Sequence, residues 1–451
     1  MNFLTHVSKH TTEESDSLGK KWLDIPEYEE RHNLHGELNG ISYELITLPV
    51  QLSHLVLLSD RQWIDQEREL VAQLAERYDI TPPNIHDNDF SADFGKFRLR
   101  WERHTEYSTY TVYYAGRFEV PFEKPAIMHV PSEWLASLPG KILVGTHIAL
   151  DDRSHPKLSL NELASLFSSG TVIGSKVAGG SASAWSDNQI HSDGFRRILI
   201  HDENLRSRQV GRLVQRLLEI ETYRMLAMLP LPKMRQMIPQ LARADQRLAT
   251  LTANSIEMTG IDKEQGLLDE LTKLAAEIED LSARTSHRFN ASRTYYNIVK
   301  LRITELREER IEGLQMLQEF MIQRLSSAMG TCELVYAKLE ILSLRVSRAS
   351  ALLRTRVEIS MEAQIRDLLR SMDNRVHMQL HLQETVEGLS VVVLTYYLLG
   401  IVGYGLKAGK AAGLNINVEL LTGIAIPVVI IGVFFAVRNL RRLISRLYHG
   451  K

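Results

Sequence analysis

The chain lacks most of the short motifs that identify enzymes. Its 451 residues contain no GxxxxGK[ST] phosphate loop, no GxSxG nucleophile elbow, no HExxH helix and no CxxC pair. It has one cysteine, Cys332, which cannot form an internal disulfide and therefore agrees with a reducing compartment. These absences favour a non-enzymatic role without excluding an enzyme.

Strong net charge and an apolar leader are also missing. The formal net charge is -2, so we expect no nucleic-acid partner. Residues 1–22 contain no continuous apolar segment, and we expect no secretory signal there. Residues 1–25 are polar and are predicted to form a mobile N-terminal tail.

Two apolar runs lie near the C-terminus. The first, 388–406, has 19 residues without a charge, and the second, 420–437, has 18. At about 1.5 Å per residue, a helix of this length covers roughly 28 Å, close to the thickness of the hydrocarbon core. We therefore predict transmembrane helix 1 at 388–406 and transmembrane helix 2 at 420–437.

The charges that flank the runs predict their orientation. The segment 438–451 contains no acidic residue and five basic ones, namely Arg438, Arg441, Arg442, Arg446 and Lys451. Because such positive segments stay in the cytoplasm, we predict a multi-pass protein of the bacterial inner membrane with both termini cytoplasmic. Residues 407–419 then form an external loop, and 438–451 a basic cytoplasmic tail.

Several polar side chains lie within or beside the first run. Thr395, Tyr396 and Tyr397 lie near its middle, and Tyr404 and Lys407 lie at its end. Lipid cannot satisfy polar groups, so these residues are candidates either for helix packing or for lining a pore. Packing between helices is the simpler interpretation.

Residues 26–233 are predicted to form an α+β cytoplasmic domain. Segments 52–58 and 141–150 are typical of strands, 63–78 and 204–228 of helices, and 161–167 of a short helix. Segments 171–177 and 194–201 are predicted to be strands joined through Gly179, Gly180 and Ser181. Residues 96–114 alternate like paired strands, with one face made of Arg98, Arg100, Glu102, His104 and Glu106.

Residues 234–387 have almost no strand signal and are predicted to form a helical coiled-coil stalk. Apolar residues recur there at alternating spacings of four and three, as in Leu267, Leu271, Leu274, Ile278 and Leu281. We place turns near Gly260 and 286–292, with a further candidate at Gly330. The last helix begins near Thr355 and continues into the first apolar run.

The candidate chemistry is a metal site or a proton-transfer site. His32 and His35, with Glu37 nearby, have a spacing that suits a divalent metal, although histidines in loops also occur this way by chance. His104 lies between Glu102 and Glu106, and on one strand face the three would form an acid–His–acid row. The alternative is a cross-strand salt-bridge ladder with Arg98 and Arg100. The candidate metal ligands are His32, His35, His104 and Glu106.

Two other polar features have structural interpretations. Gly179 and Gly180 could offer backbone N–H groups to an anion, or could simply form a hairpin turn. Glu221 and Arg224 are predicted to form a partly buried ion pair that fixes the packing of their helix.

Segments spread over the chain, from about residue 28 to the tail, resemble a family of bacterial membrane-anchored proteins known as domain of unknown function 3422. The resembling segments are 32–35, Ser53-His54-Leu55, 101–106, 177–180, Asp193-Gly194-Phe195, 211–224, 352–357 and 384–390. The family usually has Ala-Arg-Pro after its second histidine, where this chain has Gly36-Glu37-Leu38. The resemblance implies an architecture but no activity.

Two other groups are similar in layout only. One is the family required for meiotic nuclear division. The other is the CorA family of magnesium channels, which also place a cytoplasmic α/β domain and long helices before two C-terminal spans. CorA proteins end the first span with Gly-Met-Asn, where this chain has Gly405-Leu406-Lys407. A lysine there would repel a hydrated cation.

These features lead to three functional hypotheses. The first is a scaffold or regulatory module that contacts the lipid bilayer and assembles as a homo-oligomer through its stalk and membrane helices. The second is an oligomeric ion channel or transporter with a CorA-like plan. The third is a metal-dependent cytoplasmic enzyme.

Overall fold

A computed structural model of the chain describes residues 44–59, 61–84, 87–167, 171–257, 260–411 and 417–448. The chain divides into two compact units. The first contains the described residues up to Gln246 together with Ala276–Leu344, and the second contains Arg247–Ala275 and the described residues from Arg345 onward. The predicted domain boundary at residue 233 separates segments that share the first unit.

The first unit is built on one mixed sheet of nine strands, in the order β2-β3-β4-β1-β5-β8-β7-β6-β9. Strands β5 and β8 are parallel, and the other neighbouring pairs are antiparallel. The strands are β1 Val50–Leu58, β2 Asp89–Asp93, β3 Arg98–Arg103, β4 Tyr107–Ala115, β5 Lys141–Asp151, β6 Ile173–Val177, β7 Ala182–Ser186, β8 Arg196–Asp202 and β9 Glu309–Arg310.

The helices lie on both faces of this sheet and continue into the second unit. In the described part of the chain they are α1 Ile64–Arg77, α2 Ser132–Ser137, α3 Leu160–Leu166, α4 Ser207–Met228, α5 Leu231–Glu257, α6 Ile261–Ala283, α7 Ser286–Glu305, α8 Leu317–Ala411 and α9 Val418–Tyr448. Short 3-10 turns occur at Arg61–Trp63 and Ala126–His129.

The alternation of β3 explains why two different layers form on the sheet. Leu99 and Trp101 are fully buried on one face, in a cluster with Val71 and Leu74 of α1 and with Trp134 of α2. On this same face Glu67 of α1 accepts a hydrogen bond from Arg103 at 3.1 Å. Both charges are buried: the hydroxyls of Ser59 and Ser108 donate to Glu67, and Arg103 donates to the hydroxyl of Ser108 and to the carbonyl of Ser59.

The opposite face of the sheet is covered by α4 and α7. Leu52 of β1 and Ile148 of β5 share a buried cluster with Val214 of α4 and with Val299 and Ile303 of α7. The residues of α4 that face the sheet recur every three or four positions, as an amphipathic helix requires. Helix α7 therefore belongs to the sheet unit, although its sequence reads as part of a stalk.

Most elements predicted from periodicity are confirmed, and five local predictions are wrong. Residues 286–292 are the start of α7 and not a turn, and α8 begins at Leu317 rather than near Thr355. The hairpin at Gly179 and Gly180 joins β6 to β7, not to the strand that follows residue 194. The region from 234 to 387 contains the short strand β9, which pairs with β6. Gly330 lies inside α8 and makes no turn.

In the second unit, α6 contacts α8 through a buried carboxylate. Glu264 accepts a hydrogen bond from Ser360 at 3.1 Å and lies 2.9 Å from the Nε atom of Arg356. The heptad residues Leu267, Leu271 and Leu274 of α6 and Leu353 of α8 are buried. A long helical region is therefore present, and its apolar repeats face inward up to Val357.

Both apolar runs are helical. The first lies within α8, which continues without interruption from Leu317 to Ala411, and the second lies within α9. Both helices are long and apolar enough to cross a membrane, by length and composition. Their apolar windows are 6% buried, so almost no other part of the described chain covers them.

Candidate functional site

A cavity of about 350 Å³ lies between the sheet and α4. Its floor is the face of β1, β3 and β4 that lies opposite α1, and α4 covers it. The lining residues are Glu44, Ile46, His54, Arg100, Glu102, His104, Tyr107, Thr109, Thr111, Tyr113, Gly211, Val214, Gln215, Leu218, Glu219, Thr222, Tyr223 and Arg302.

The periodicities of two elements place these side chains together. In β4 every second residue from Tyr107 to Tyr113 faces the cavity, because successive side chains of a strand point to opposite faces. In α4 the lining residues Gly211, Gln215 and Glu219 are four apart and therefore share one side of the helix. Thr111 lies directly opposite His54 in the register of β1 and β4.

His54 is held as a neutral imidazole on the cavity floor. Its Nδ1 atom lies 2.8 Å from the hydroxyl oxygen of Thr111, and its Nε2 atom lies 3.2 Å from that of Thr222. Burial, and to a smaller extent the nearby His104, lower the pKa of His54 to about 3. Both ring nitrogens are therefore occupied, and the ring links β1 and β4 to α4.

His104 lies in the turn between β3 and β4. Its backbone N–H donates to the carbonyl of Tyr107 at 2.9 Å, and its ring stacks on the Tyr107 ring with centroids 4.3 Å apart. Burial lowers the pKa of His104, although the Glu102 carboxylate acts in the opposite direction. The imidazole is therefore neutral near pH 7 and can either donate or accept a hydrogen bond.

The two arginines of the lining are already paired with carboxylates. Arg100 donates to Glu102 at 2.7 Å, and Glu44 lies 3.7 Å from another guanidinium nitrogen of Arg100. Arg302 donates to Glu219, and to Glu305 at 3.0 Å. Charges of both signs thus neutralise one another around the cavity, and no guanidinium in the lining lacks a carboxylate.

Hydroxyl groups make up much of the remaining polar lining. Burial raises the pKa of Tyr107, Tyr113 and Tyr223 above the ordinary value, so each stays a neutral phenol. The neighbouring Tyr223 also raises the pKa of Tyr107. With the threonines at positions 109, 111 and 222, these groups offer donors and acceptors without net charge.

His104, Tyr107 and Tyr223 also line a second, more open depression of about 550 Å³. These three side chains therefore form the wall between the cavity and that depression. The turn that carries His104 is fixed to α7, since Glu106 accepts a hydrogen bond from Tyr295 at 2.6 Å and another from Arg288.

Gly211 allows the chain at Glu44 to pass close to α4. A Cβ atom at position 211 would lie 2.1 Å from the carbonyl oxygen of Glu44, which is far inside van der Waals contact. Only glycine fits this position, and the approach brings the Glu44 side chain to the mouth of the cavity.

His104 lines the cavity, but the predicted row of Glu102, His104 and Glu106 does not form. Strand β3 ends at Arg103, so His104 and Glu106 lie in a turn and do not share a strand face with Glu102. The row is therefore a wrong prediction. Within β3 itself, Arg100 forms an ion pair with Glu102.

The predicted metal ligands are only partly described. His32 and His35 lie outside the described residues, and Glu106 is engaged by α7. Among the residues with a described position, no group of three His, Cys, Asp or Glu side chains is arranged to hold a metal ion. A metal site that includes His32 and His35 stays a prediction.

Sequence reasoning missed most of the cavity. Thr109, Thr111 and Tyr113 follow a simple alternation in β4, which could have identified them as one face. Arg302 of α7 could not have been found in this way. It lies 80 residues after Thr222 of α4, and no pattern in the sequence indicates that the two residues line the same cavity.

A second polar cluster is closed to ligands. Ser53 lies 2.9 Å from Nδ1 of His147, and Nε2 of His147 lies 3.9 Å from Asp193. The set has the composition of a catalytic triad, but Ser53 is fully buried and its oxygen also accepts a hydrogen bond from the backbone N–H of Ile127. Burial lowers the pKa of His147 to about 4. This cluster fastens the sheet to the segment at Ile127.

Another predicted ion pair is confirmed as part of a larger buried group. Arg224 donates to Glu221 at 2.8 Å, and Arg196 of β8 donates to the same carboxylate. One carboxylate therefore holds two guanidinium groups and fixes α4 to β8.

Within the apolar helices the polar groups are satisfied locally or exposed. The Thr395 hydroxyl donates to the carbonyl of Val391 at 2.7 Å, within its own helix. Tyr396, Tyr397 and Tyr404 are large exposed side chains, and the Lys407 ammonium lies 6.0 Å from the centre of the Tyr404 ring. Whether these residues pack against helices or line a pore stays a prediction.

Fold and site together define a class of protein: an α/β sheet domain with a polar cavity, joined to a long helical region that ends in an apolar helix. The model of the family "Protein of unknown function (DUF3422)" matches residues 26–444, so the chain belongs to this family. No curated protein and no solved structure matches the chain. The resemblance noted in the sequence is thereby confirmed.

Proposed function

We propose that this protein is a membrane-anchored regulatory module whose sheet domain binds a small, uncharged polar molecule in the cavity beneath α4. The observation that carries the proposal is the cavity of about 350 Å³ itself. Its volume lies in the range of small-molecule sites, about 300–1,000 Å³.

The chemistry of the lining supports an uncharged ligand. A charged ligand would have to displace one partner of an existing ion pair, since Arg100 and Arg302 already bond to carboxylates. The neutral His104 and the phenol and threonine hydroxyls can instead bond to hydroxyl, amide or carbonyl groups. The tyrosine rings offer apolar faces beside these groups.

The anchor in this proposal is the pair of apolar helices. Each is long enough to cross the hydrocarbon core, and their side chains are exposed in the isolated chain. The predicted placement at the bacterial inner membrane, with the sheet domain in the cytoplasm, rests on the basic residues after the second run.

The heptad repeats support a coiled-coil assignment for the helical region. Leu267, Leu271, Leu274 and Ile278 of α6 are buried at the spacing that such packing requires. The scaffold role predicted from the sequence is compatible with a ligand-binding domain, because assembly and ligand binding involve different parts of the chain.

A ligand screen on the full-length protein in detergent would test the proposal. The probes are matched pairs of uncharged and charged compounds: sugars with sugar phosphates, nucleosides with nucleotides, and polyols with amino alcohols. We expect one or more uncharged members to raise the apparent unfolding temperature, because a ligand that binds only the folded state stabilises it.

A matched pair of variants locates the effect. Gln215→Phe places a larger side chain in the cavity and should abolish the shift, whereas Arg208→Phe, exposed on the same helix outside the lining, should keep it. An uncharged ligand that stabilises both variants equally, or stabilisation only by charged compounds, would contradict the proposed site.

A further inference from the structure

The exposed part of α8 carries an apolar seam with a seven-residue repeat. The buried face of this helix ends at Leu353 and Val357. From Met361 on, apolar residues recur at alternating spacings of four and three, with two polar positions at Arg375 and Gln379. The seam consists of Met361, Ile365, Leu368, Met372, Leu382, Val386, Leu389 and Val393, all exposed by 45% or more.

A repeat of this period matches a second helix with the same repeat. Side chains spaced by 3.5 residues on average form knobs that fit the holes of an identical seam when two helices supercoil. In heptad terms, the a positions include the β-branched Ile365, Val386 and Val393, and the d positions include three leucines, at 368, 382 and 389. This combination favours two parallel strands.

The charges around the seam agree with this assignment. Arg366, Asp367, Arg370 and Asp373 occupy b, c and f positions, which face solvent in a two-stranded coiled coil. Arg375 at a d position and Gln379 at the next a position form two successive polar layers. Polar layers fix the register of the two strands at some cost in stability, and the long arginine stem can carry its charge outward.

We propose that residues 361–393 pair two copies of this chain as a parallel coiled coil that continues into the first apolar run. Two observations favour a second copy over another partner. The seam continues the face of α8 that is buried at Leu353 and Val357, and it extends through Leu389 and Val393, which lie within the apolar run. A partner must therefore present an aligned helix both outside and inside the apolar region, and an identical chain does.

The pairing rests on the seam, and its parallel orientation also rests on the proposed membrane anchor, which holds both copies in the same direction. Over 33 residues the seam is about 50 Å long, at about 1.5 Å per residue.

Cysteine cross-linking of the full chain would test both features. Single cysteines replace the seam residues in Met361→Cys, Leu368→Cys, Met372→Cys and Leu382→Cys, and the outward residues in Asp367→Cys and Arg370→Cys. The native Cys332 is buried, so the wild-type chain is the blank. Mild oxidation in membranes should give disulfide-linked pairs at all four seam positions, and at least tenfold less product at 367 and 370.

Each outcome supports or overturns the proposal. Equal cross-linking at seam and outward positions, or none at the seam, would overturn the pairing. Cross-linking near one position only, with loss toward both ends, would indicate crossed or antiparallel helices and overturn the parallel arrangement.

Mass measurement in detergent gives the number of copies independently of the membrane. We expect the mass of two chains for the wild type and for Asp367→Lys, and of one chain for Leu368→Asp, whose site is exposed within the chain and contacts no buried core. A larger assembly of the wild type would overturn the two-copy proposal and favour the channel hypothesis. If the protein were a dimer but not a membrane protein, the proposed membrane anchor would be wrong and the pairing of two copies would stand.

Discussion

At the scale of single residues, the cavity is defined by ion pairs whose charges neutralise one another and by a histidine that is not easily protonated. His54 is fully enclosed, and both of its ring nitrogens face threonine hydroxyls. A proton on this ring would lose its hydration and would also need one threonine to change from donor to acceptor. The low pKa of His54 therefore follows from its position beneath α4.

The low pKa of His54 predicts loss of stability in acid. An unfolded chain protonates this histidine near pH 6.5, whereas the folded chain resists protonation until about pH 3. Between these values the unfolded state binds one more proton, so the free energy of unfolding falls by about 1.4 kcal/mol for each unit that the pH decreases. Stability from this residue is complete above pH 6.5 and is lost on acidification.

Thermal unfolding of the full chain from pH 7.5 to 4.5 checks this prediction. His54→Gln should reduce the slope of stability against pH by about one proton, even if its stability at pH 7.5 is lower. A control, His377→Gln, removes an exposed histidine of α8 and should leave the slope unchanged. Equal slopes for the wild type and His54→Gln would show that His54 titrates normally.

At the scale of elements, α4 is the part that joins the sheet, the cavity and α7. Its apolar side packs on the sheet, its polar side lines the cavity, and its glycine admits the chain at Glu44. Glycine in a helix interior normally costs about 1 kcal/mol relative to alanine. At position 211 this cost is offset by a backbone approach that no other residue permits.

Gly211→Ala should therefore destabilise the protein despite the better helix propensity of alanine. The new methyl group would meet the Glu44 carbonyl, and overpacking of this kind costs about 1–3 kcal/mol. The apparent unfolding temperature measures the effect. Gly330→Ala in α8 is the matched control, because a Cβ atom there meets nothing within 4 Å, and it should be neutral or stabilising by up to about 1 kcal/mol. The prediction is wrong if both variants are stabilised.

At the scale of the whole molecule, the chain combines a sheet unit that contains a polar cavity with a helical region that has its own exposed apolar surface. α8 carries first an inward-facing seam, then an exposed one, and finally the first apolar run. In the proposed arrangement the membrane fixes the direction of two copies, and the exposed seam of one covers that of the other.

The proposed topology predicts which residues are accessible from outside the inner membrane. Two variants, Asn417→Cys and Asn374→Cys, test this prediction. Position 417 lies between the two apolar helices, and position 374 lies in α8 before the first run. In intact spheroplasts a membrane-impermeant maleimide should label the first variant, whereas the second should react only after permeabilisation. Labelling of position 374 in intact spheroplasts, or of neither position until lysis, would contradict the predicted orientation.

Local patterns predicted the elements of this fold because each depends on neighbours in the sequence. The alternation around Leu99 and Trp101 identified β3, and the spacing of Val210, Leu213 and Leu217 identified α4. The same alternation failed at His104, since a turn ends the strand one residue earlier and alternation alone does not mark that end. Composition alone also found the two apolar helices.

By itself, the sequence determined most of the strands and helices, the apolar runs and the seven-residue repeats, because these arise from the periodicity of adjacent residues. Tertiary structure alone decided that α7 returns to the sheet, that β9 pairs with β6, and that residues as distant as His54, Thr222 and Arg302 share one cavity. Such long-range contacts depend on the packing of whole elements against each other. The free energy of that packing is spread over many side chains, and no single segment of the sequence indicates it.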